Sequence, residues 1–384
     1  MSNLRPRVTR TAIALFSALL MLITIGAVVT TEIAVSANDA LATEALESAG
    51  LQSAPDPASW SDAELAAQLV LAGINVADAG RQCPNASRGL GGFVLFGSPT
   101  SRLRSDLRRV SSCGFRGARP LFASDEEGGR VQRLARLLGS LPSAAAMGRS
   151  MSVGQIEATA RQYALKMRRL GVPLALGPVA DLSYRGTYIA RDGRAFAANP
   201  RRAARSVAAW IRGFNAGGVM ATAKHWPGHG SARDTHTGAG RTLPWSSLQS
   251  RDLQPFRAAF AAGVPAVMVG HLIVPGLTGK LPASQSSQAL AELRREAGPD
   301  VVIITDSLAM DAVTSALRQS QASAAVRALR AGADVALVNE TDPWSVVRAI
   351  TRALRIGQLS RDQVVASVRR VLAAKARIGA TRNQ

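Results

Sequence analysis

Eight short apolar runs punctuate the chain: 69–74 (LVLAGI), 93–97 (FVLFG), 121–125 (LFASD), 174–181 (LALGPVAD), 219–225 (VMATAKH), 266–272 (AVMVGHL), 301–307 (VVIITDS) and 335–340 (VALVNE). They are continuously apolar rather than alternating, as strands covered on both faces are. Most are separated by stretches such as 153–170, 202–215 and 342–355, where apolar residues recur at helical spacing among good helix formers. A helix is expected to open at Ser61, with Asp62 and Glu64 in its first turn, and 361–378 reads as a last covering helix. Strands alternating with helices predict an α/β fold with a parallel sheet, and eight of them predict a (β/α)8 TIM barrel.

The polar residues that close the runs favour the barrel over an open doubly wound sheet. Asp125, Asp181, Lys224-His225, His271 and Asp306 stand at the C-terminal ends of five runs. A barrel gathers such ends into one ring, whereas an open sheet concentrates its site near one switch point. No glycine-rich dinucleotide fingerprint or P-loop follows any run.

Ahead of this pattern, Arg5, Arg7 and Arg10 precede an uncharged, mostly apolar stretch over 12–29. Basic-then-apolar order predicts a secretory signal peptide or an N-terminal membrane anchor over 1–37. A linker over 38–58 follows, and a single barrel domain occupies 59–384. The protein is therefore expected to be exported to the extracellular space or cell envelope, either secreted after cleavage or held by its first segment. In that compartment Cys83 and Cys113, each ahead of an apolar run, become candidates for a disulfide. Neither adjoins a histidine in sequence, which argues against cysteine catalysis.

Charge adds one refinement. The formal net charge is +20, with 46 Lys+Arg against 26 Asp+Glu, and almost all of the cations are arginines. No nucleic-acid motif accompanies them and they are scattered, so nucleic acid is not an expected partner. A GC-rich codon bias explains a general preference for arginine; attraction to anionic envelope material is a secondary expectation.

Candidate chemistry concentrates in 219–240, VMATAKHWPGHGSARDTHTGAG, which holds three of the four histidines. Pro227, Gly228 and Gly230 place them on a loop after a strand. Asp234 and His236 stand two residues apart, and a carboxylate beside an imidazole can hold its tautomer and raise its pKa to give a general acid. Asp306 closes an almost wholly apolar run; a helix N-cap near Leu308 is one reading, a nucleophile or electrostatic stabiliser another. Asp125 opens DEEGGRVQR, where it could take hydrogen bonds from vicinal hydroxyls with Arg130 or Arg133 balancing its charge. Glu126 and Glu127 read as a surface salt-bridge cluster, and Arg194, in DGRAF, is unreadable alone.

Together DEEGGRVQRL, GRAF, KHWPGHG with a following D-T-H, and ITDSLAM resemble glycoside hydrolase family 3, in order from about residue 60 onward. More narrowly they resemble its single-domain bacterial β-N-acetylglucosaminidases (β-N-acetylhexosaminidases). The resemblance implies a retaining hydrolase that removes terminal β-linked N-acetylglucosamine, typically from peptidoglycan fragments. It implies Asp306 as nucleophile, His236 as acid/base with Asp234 as its dyad partner, and Asp125, Arg133, Arg194, Lys224 and His225 as the residues that hold the sugar. Arg130, Asp181, His229 and His271 stand as supporting residues, His229 shaping the loop. The loop from Lys224 to Asp234 is one residue shorter than the family's usual one.

No metal or cofactor is expected; the partner is a small saccharide or muropeptide, and the protein a monomer. A β-glucosidase-type or phosphorolytic member of the same family is an alternative. From other classes, a metal-dependent envelope hydrolase using His225, His229, His236 and Asp234, or a non-catalytic saccharide-binding barrel, stays open.

Overall fold

A computed structural model describes residues 56–380. The expected signal or anchor over 1–37 and most of the linker lie outside the described residues, among which no helix is long and apolar enough to cross a membrane.

Eight parallel strands form one barrel-like sheet: β1 (Val70–Asn75), β2 (Gly92–Phe96), β3 (Leu121–Ser124), β4 (Leu174–Ala175), β5 (Met220–Trp226), β6 (Ala266–Val269), β7 (Val302–Thr305) and β8 (Ala336–Val338). Each pairs with its sequence neighbour, and β8 returns to β1. The ring is completed between β7 and β8 by a single parallel bridge, Ile304 to Val335. There the Thr305 amide donates to the Val335 carbonyl at 2.9 Å, and Thr305 Oγ1 accepts from the Leu337 amide at 3.1 Å. All four residues of β7 are buried, as are all seven of β5, because helices cover the sheet outside and side chains fill it inside.

The helices form where amphipathic spacing and caps require them. Ser61 and Glu64 make a reciprocal capping box at the start of α1 (Asp62–Gln68). α2 (Leu103–Ser112) follows β2, and α3 (Val153–Leu170), capped by Ser152 and Gln155, follows β3. Asn199 caps α4 (Pro200–Ala216), whose Pro200 occupies the position where a missing N–H costs nothing. α5 (Leu253–Ala261), α6 (Ser287–Ala297), α7 (Gln321–Ala331), α8 (Trp344–Arg355) and α9 (Arg361–Ala380) complete the outer layer.

Two departures from the expected pattern have local causes. The run 174–181 contributes only two ladder residues, because Pro178 has no N–H to continue the pairing. Val179 instead bridges Lys224, and the Ala180 amide donates to the Lys224 carbonyl, which swings Asp181 over the end of β5. The connection from β1 to β2 has no long helix; it holds a 3-10 turn and the short helix Cys83–Ser87. Cys83 is disulfide-bonded to Cys113 at the end of α2, with Cα atoms 5.4 Å apart.

At the opposite end of the strands, one carboxylate ties the last helix to the sheet. Asp334, 1% exposed, accepts from Arg294 of α6 (2.5 Å), Arg370 (2.7 Å) and Ser367 (2.7 Å) of α9, and the Ile303 amide of β7 (2.8 Å). Asp334→Ala is expected to cost about 3–5 kcal/mol, because two partly buried guanidinium groups lose their counter-ion. Urea unfolding of the purified protein measures it, and a loss below about 1 kcal/mol would show that water replaces the carboxylate.

Candidate active site

The strand C-termini carry the chemistry. Lys224, on β5, is 2% exposed, and its Nζ lies 2.7 Å from Asp125 Oδ1 and 2.8 Å from Glu127 Oε1. Glu127 in turn grips Arg194 with two parallel bonds, 2.7 Å from Nε and 2.8 Å from Nη2. Burial opposes a charge on Glu127, but Lys224 and Arg194 outweigh it and hold the carboxyl well below its ordinary range. Burial likewise opposes the cations, and their carboxylate partners push Lys224 and Arg194 upward. Two carboxylates and two cations thus neutralise one another at the floor of the site. Asp125 is the most exposed of them, and its Oδ2 takes no hydrogen bond within the described residues.

Two expectations are corrected here. Glu126 and Glu127 are not a surface cluster: they are 0% and 4% exposed. Nor does Arg130 balance Asp125. Gly128 and Gly129, both at positive φ, turn the chain between two short antiparallel strands and leave Arg130 outside, 3.6 Å from Asp192 with its side chain 79% exposed. Lys224 takes that role. Arg133 stays nearer the site: it is exposed, its amide donates to the Asp125 carbonyl at 3.2 Å, and its guanidinium lies 5.9 Å from the Phe96 ring.

Asp306 directly follows β7 and is 7% exposed. Its Oδ1 accepts from the Ser307 amide at 2.8 Å, and Oδ2 is unpartnered within the described residues. Burial acts to raise its pKa, yet His225, His271, the Ser307 amide and Lys224 together bring it below the ordinary value, so it is ionised at neutral pH. No helix starts at Leu308; the next begins at Thr314, so the capping role is not realised. His271 fixes the backbone behind the acid. Its Nε2 lies 2.9 Å from the Ser307 carbonyl, which can only accept, so Nε2–H donates there and Nδ1 accepts a hydrogen bond from the Ser284 hydroxyl at 2.7 Å.

Asp181 organises the start of the histidine loop. It accepts from the amides of His225 (3.2 Å) and His229 (2.7 Å), and its Oδ2 lies 2.8 Å from His225 Nδ1, leaving His225 Nε2 for a ligand. The loop then passes so close to the β4 connection that a Cβ at Gly230 would meet the Leu182 carbonyl at 2.1 Å. His229 is buried, which lowers its pKa to about 4, helped by the nearby His225, so its ring is neutral. Its Nε2 lies 3.2 Å from Thr235 Oγ1. Thr235 also accepts from the Ala312 amide, mooring the loop to the segment beyond Asp306.

Asp234 Oδ1 caps the short 3-10 turn Thr235–Thr237 through the His236 amide (3.0 Å) and lies 2.7 Å from His236 Nδ1. Partial burial works against ionising Asp234, but the His236 amide and ring prevail and hold its pKa below the ordinary value. The His236 ring is 55% exposed with Nε2 unpartnered within the described residues, and Tyr188 stands edge-on to it with centroids 6.3 Å apart. His225, His229, His236 and Asp234 do not form a metal cluster; among the described residues no group of three or more His, Cys, Asp or Glu is placed to hold a metal ion.

An imidazole paired with one carboxylate, and a second carboxylate kept ionised apart from it, are groups able to do general acid–base and nucleophilic chemistry. The chain belongs to glycoside hydrolase family 3: residues 67–374 match the glycosyl hydrolase family 3 N-terminal domain. It is 36% identical over 330 residues to beta-hexosaminidase LpqI of Mycobacterium tuberculosis, covering 83% of this chain and 84% of that protein. The solved structure of M. tuberculosis LpqI superposes with a TM-score of 0.77 at 34% identity, covering 83% of this chain and 95% of that one. A family 3 beta-N-acetylglucosaminidase from Paenibacillus sp. gives 0.76 at 30% identity, covering 83% and 62%.

Glu127 is a site residue that its acidic neighbours disguised, and Glu126 beside it has partners of its own. Glu126 accepts from Ser124 Oγ (2.6 Å), Tyr163 OH (2.5 Å) and the Leu134 amide (3.0 Å). Burial outweighs these bonds and raises its pKa from 4.5 to about 7. A raised folded-state value favours the fold while the group is protonated. That contribution is full below about pH 4.5 and is lost as pH rises through about 7. Unfolding free energy measured from pH 5 to 8 should therefore fall by up to about 3 kcal/mol more in the wild type than in Glu126→Gln. Parallel pH profiles would reject the assignment.

Proposed function

We propose that the protein is a retaining exo-β-N-acetylhexosaminidase acting on terminal β-linked N-acetylglucosamine. The observation that carries this reading is the ionised, nearly enclosed Asp306 with one oxygen unpartnered, set apart from a loop-borne His236–Asp234 pair. The names of the relatives supply the sugar, and the floor supports it. Asp125 Oδ2 and His225 Nε2 point no hydrogen bond at the protein and can receive sugar hydroxyls, while Arg194 and Lys224 are already clamped by Glu127.

In the first half-reaction Asp306 Oδ2 bonds to the anomeric carbon as the glycosidic C–O bond breaks. His236 Nε2–H gives its proton to the departing oxygen, Asp234 stabilising the imidazolium beforehand. In the second, His236 takes a proton from water, whose oxygen displaces Asp306 and releases the sugar with retained configuration. A loop-borne acid leaves the mouth open to substrate before it engages. The eight strands and their covering helices, read this way, are those of a (β/α)8 barrel. Export to the envelope, as the 1–37 segment suggests, would bring peptidoglycan fragments within reach.

Asp306→Ala should abolish turnover of both an activated aryl N-acetyl-β-glucosaminide and an unactivated N-acetylglucosamine disaccharide. His236→Ala should lower kcat/KM, which reports the first half-reaction, by about 10²–10⁴-fold on the disaccharide and little on the aryl substrate, whose good leaving group needs less protonation. Equal losses of kcat/KM on both substrates would reject His236 as the acid.

A further inference from the structure

A groove of about 550 Å³ runs along the outer wall of the barrel, away from the strand C-termini, between α2 and the C-terminal end of α3. Five arginines line it: Arg104 and Arg108 from α2, Arg168 and Arg169 from α3, and Arg119 just ahead of β3. Among the described residues no acidic side chain lines it. Its apolar floor is closed, with Leu107 1% and Leu170 8% exposed, while the Arg104, Arg108, Arg119 and Arg169 side chains are exposed and make no hydrogen bond or ion pair within the described residues. The hydroxyls of Ser111 and Ser112 stand at the same wall.

Helix electrostatics accounts for only part of this. Arg168 and Arg169 lie in the last turn of α3, where cations offset the carbonyl end. Arg104 lies in the first turn of α2, the end that repels a cation, and Arg102 ahead of it makes no cap hydrogen bond. Gathering Arg104, Arg108, Arg119 and Arg169 around one recess, with no carboxylate among the described residues that line it, is unfavourable in the free protein, and an anion placed among them relieves the repulsion.

We propose that this groove binds a linear polymer carrying repeated phosphate groups. The guanidinium fork matches a phosphate with two parallel N–H bonds, and several forks along a channel match several phosphates in succession. A recess between two helices admits a flexible strand, whereas a flat lipid surface meets protruding side chains first. Docking there leaves the strand C-terminal ends open, so the polymer holds the enzyme without occupying its catalytic end.

The test uses the purified protein and short linear polyphosphate, titrated by calorimetry at low and physiological salt. Arg104→Glu with Arg108→Glu should weaken binding at least tenfold. Arg352→Glu with Arg355→Glu, an equal charge change on exposed arginines of α8, should weaken it less than twofold. Both variants should keep wild-type turnover of the aryl substrate, which shows that they fold. Equal weakening by the two pairs would assign the binding to overall charge and overturn the proposal. So would orthophosphate binding as tightly as the polymer, or groove-dependent binding to phosphatidylglycerol vesicles with none to polyphosphate.

Discussion

One buried ammonium group holds the site together. Lys224 has almost no access to water, and a lysine in that position is tolerable only if opposite charges replace its hydration. Asp125 and Glu127 do so at 2.7 and 2.8 Å, and Glu127 passes the constraint on to Arg194 through a bidentate pair. Side chains from β5, the turn after β3 and the loop after β4 are thereby fixed in one network of charges before any ligand arrives. Removing a single member leaves a buried charge without its partner, so the set stands or falls as a unit.

Against this buried floor the proposed acid stands exposed on a separate loop. The His236 side chain is more than half exposed, on a loop that the Asp234 cap, the His229–Thr235 bond, the Arg233–Ala239 bond and the Ala312 amide hold by its other residues. Asp181 stiffens only the beginning of that loop, where it meets β5. The arrangement separates two requirements of glycoside chemistry. Charges that bind a sugar must not move, while a group that protonates a departing oxygen must let substrate in first.

Strand positions were legible because continuous apolar runs leave little choice of structure, and their polar C-terminal residues marked which end carries chemistry. The fourth run failed at its far half because a proline cannot donate to a ladder, although that residue was plain in LALGPVAD. Glu127 was harder. Acidic neighbours beside two glycines look like a solvated turn, and nothing local says that a lysine some ninety-seven positions later will be buried against one of them. Alternation was the available signal: residues at 125 and 127 point the same way from an extended segment, so a ligand-facing Asp125 implied a ligand-facing Glu127. Arg130 illustrates the converse, since the glycines that shape the turn reverse the chain and carry the arginine out to solvent.

Composition, by contrast, could not say what the arginines are for, because burial decides it. Arg194, 8% exposed and doubly bonded to Glu127, is part of the floor of the proposed site, and its charge is cancelled there. Around the site the ionic groups largely balance, so the excess that gives the chain its net charge of +20 must sit on the outer surface. An excess spread evenly acts mainly on solubility and is screened within about 10 Å. Concentrated in a recess with an apolar floor and no carboxylate among the described residues lining it, the same residue type acquires direction and spacing, which are the properties that recognition requires. The wall between α2 and α3 is where that concentration is found.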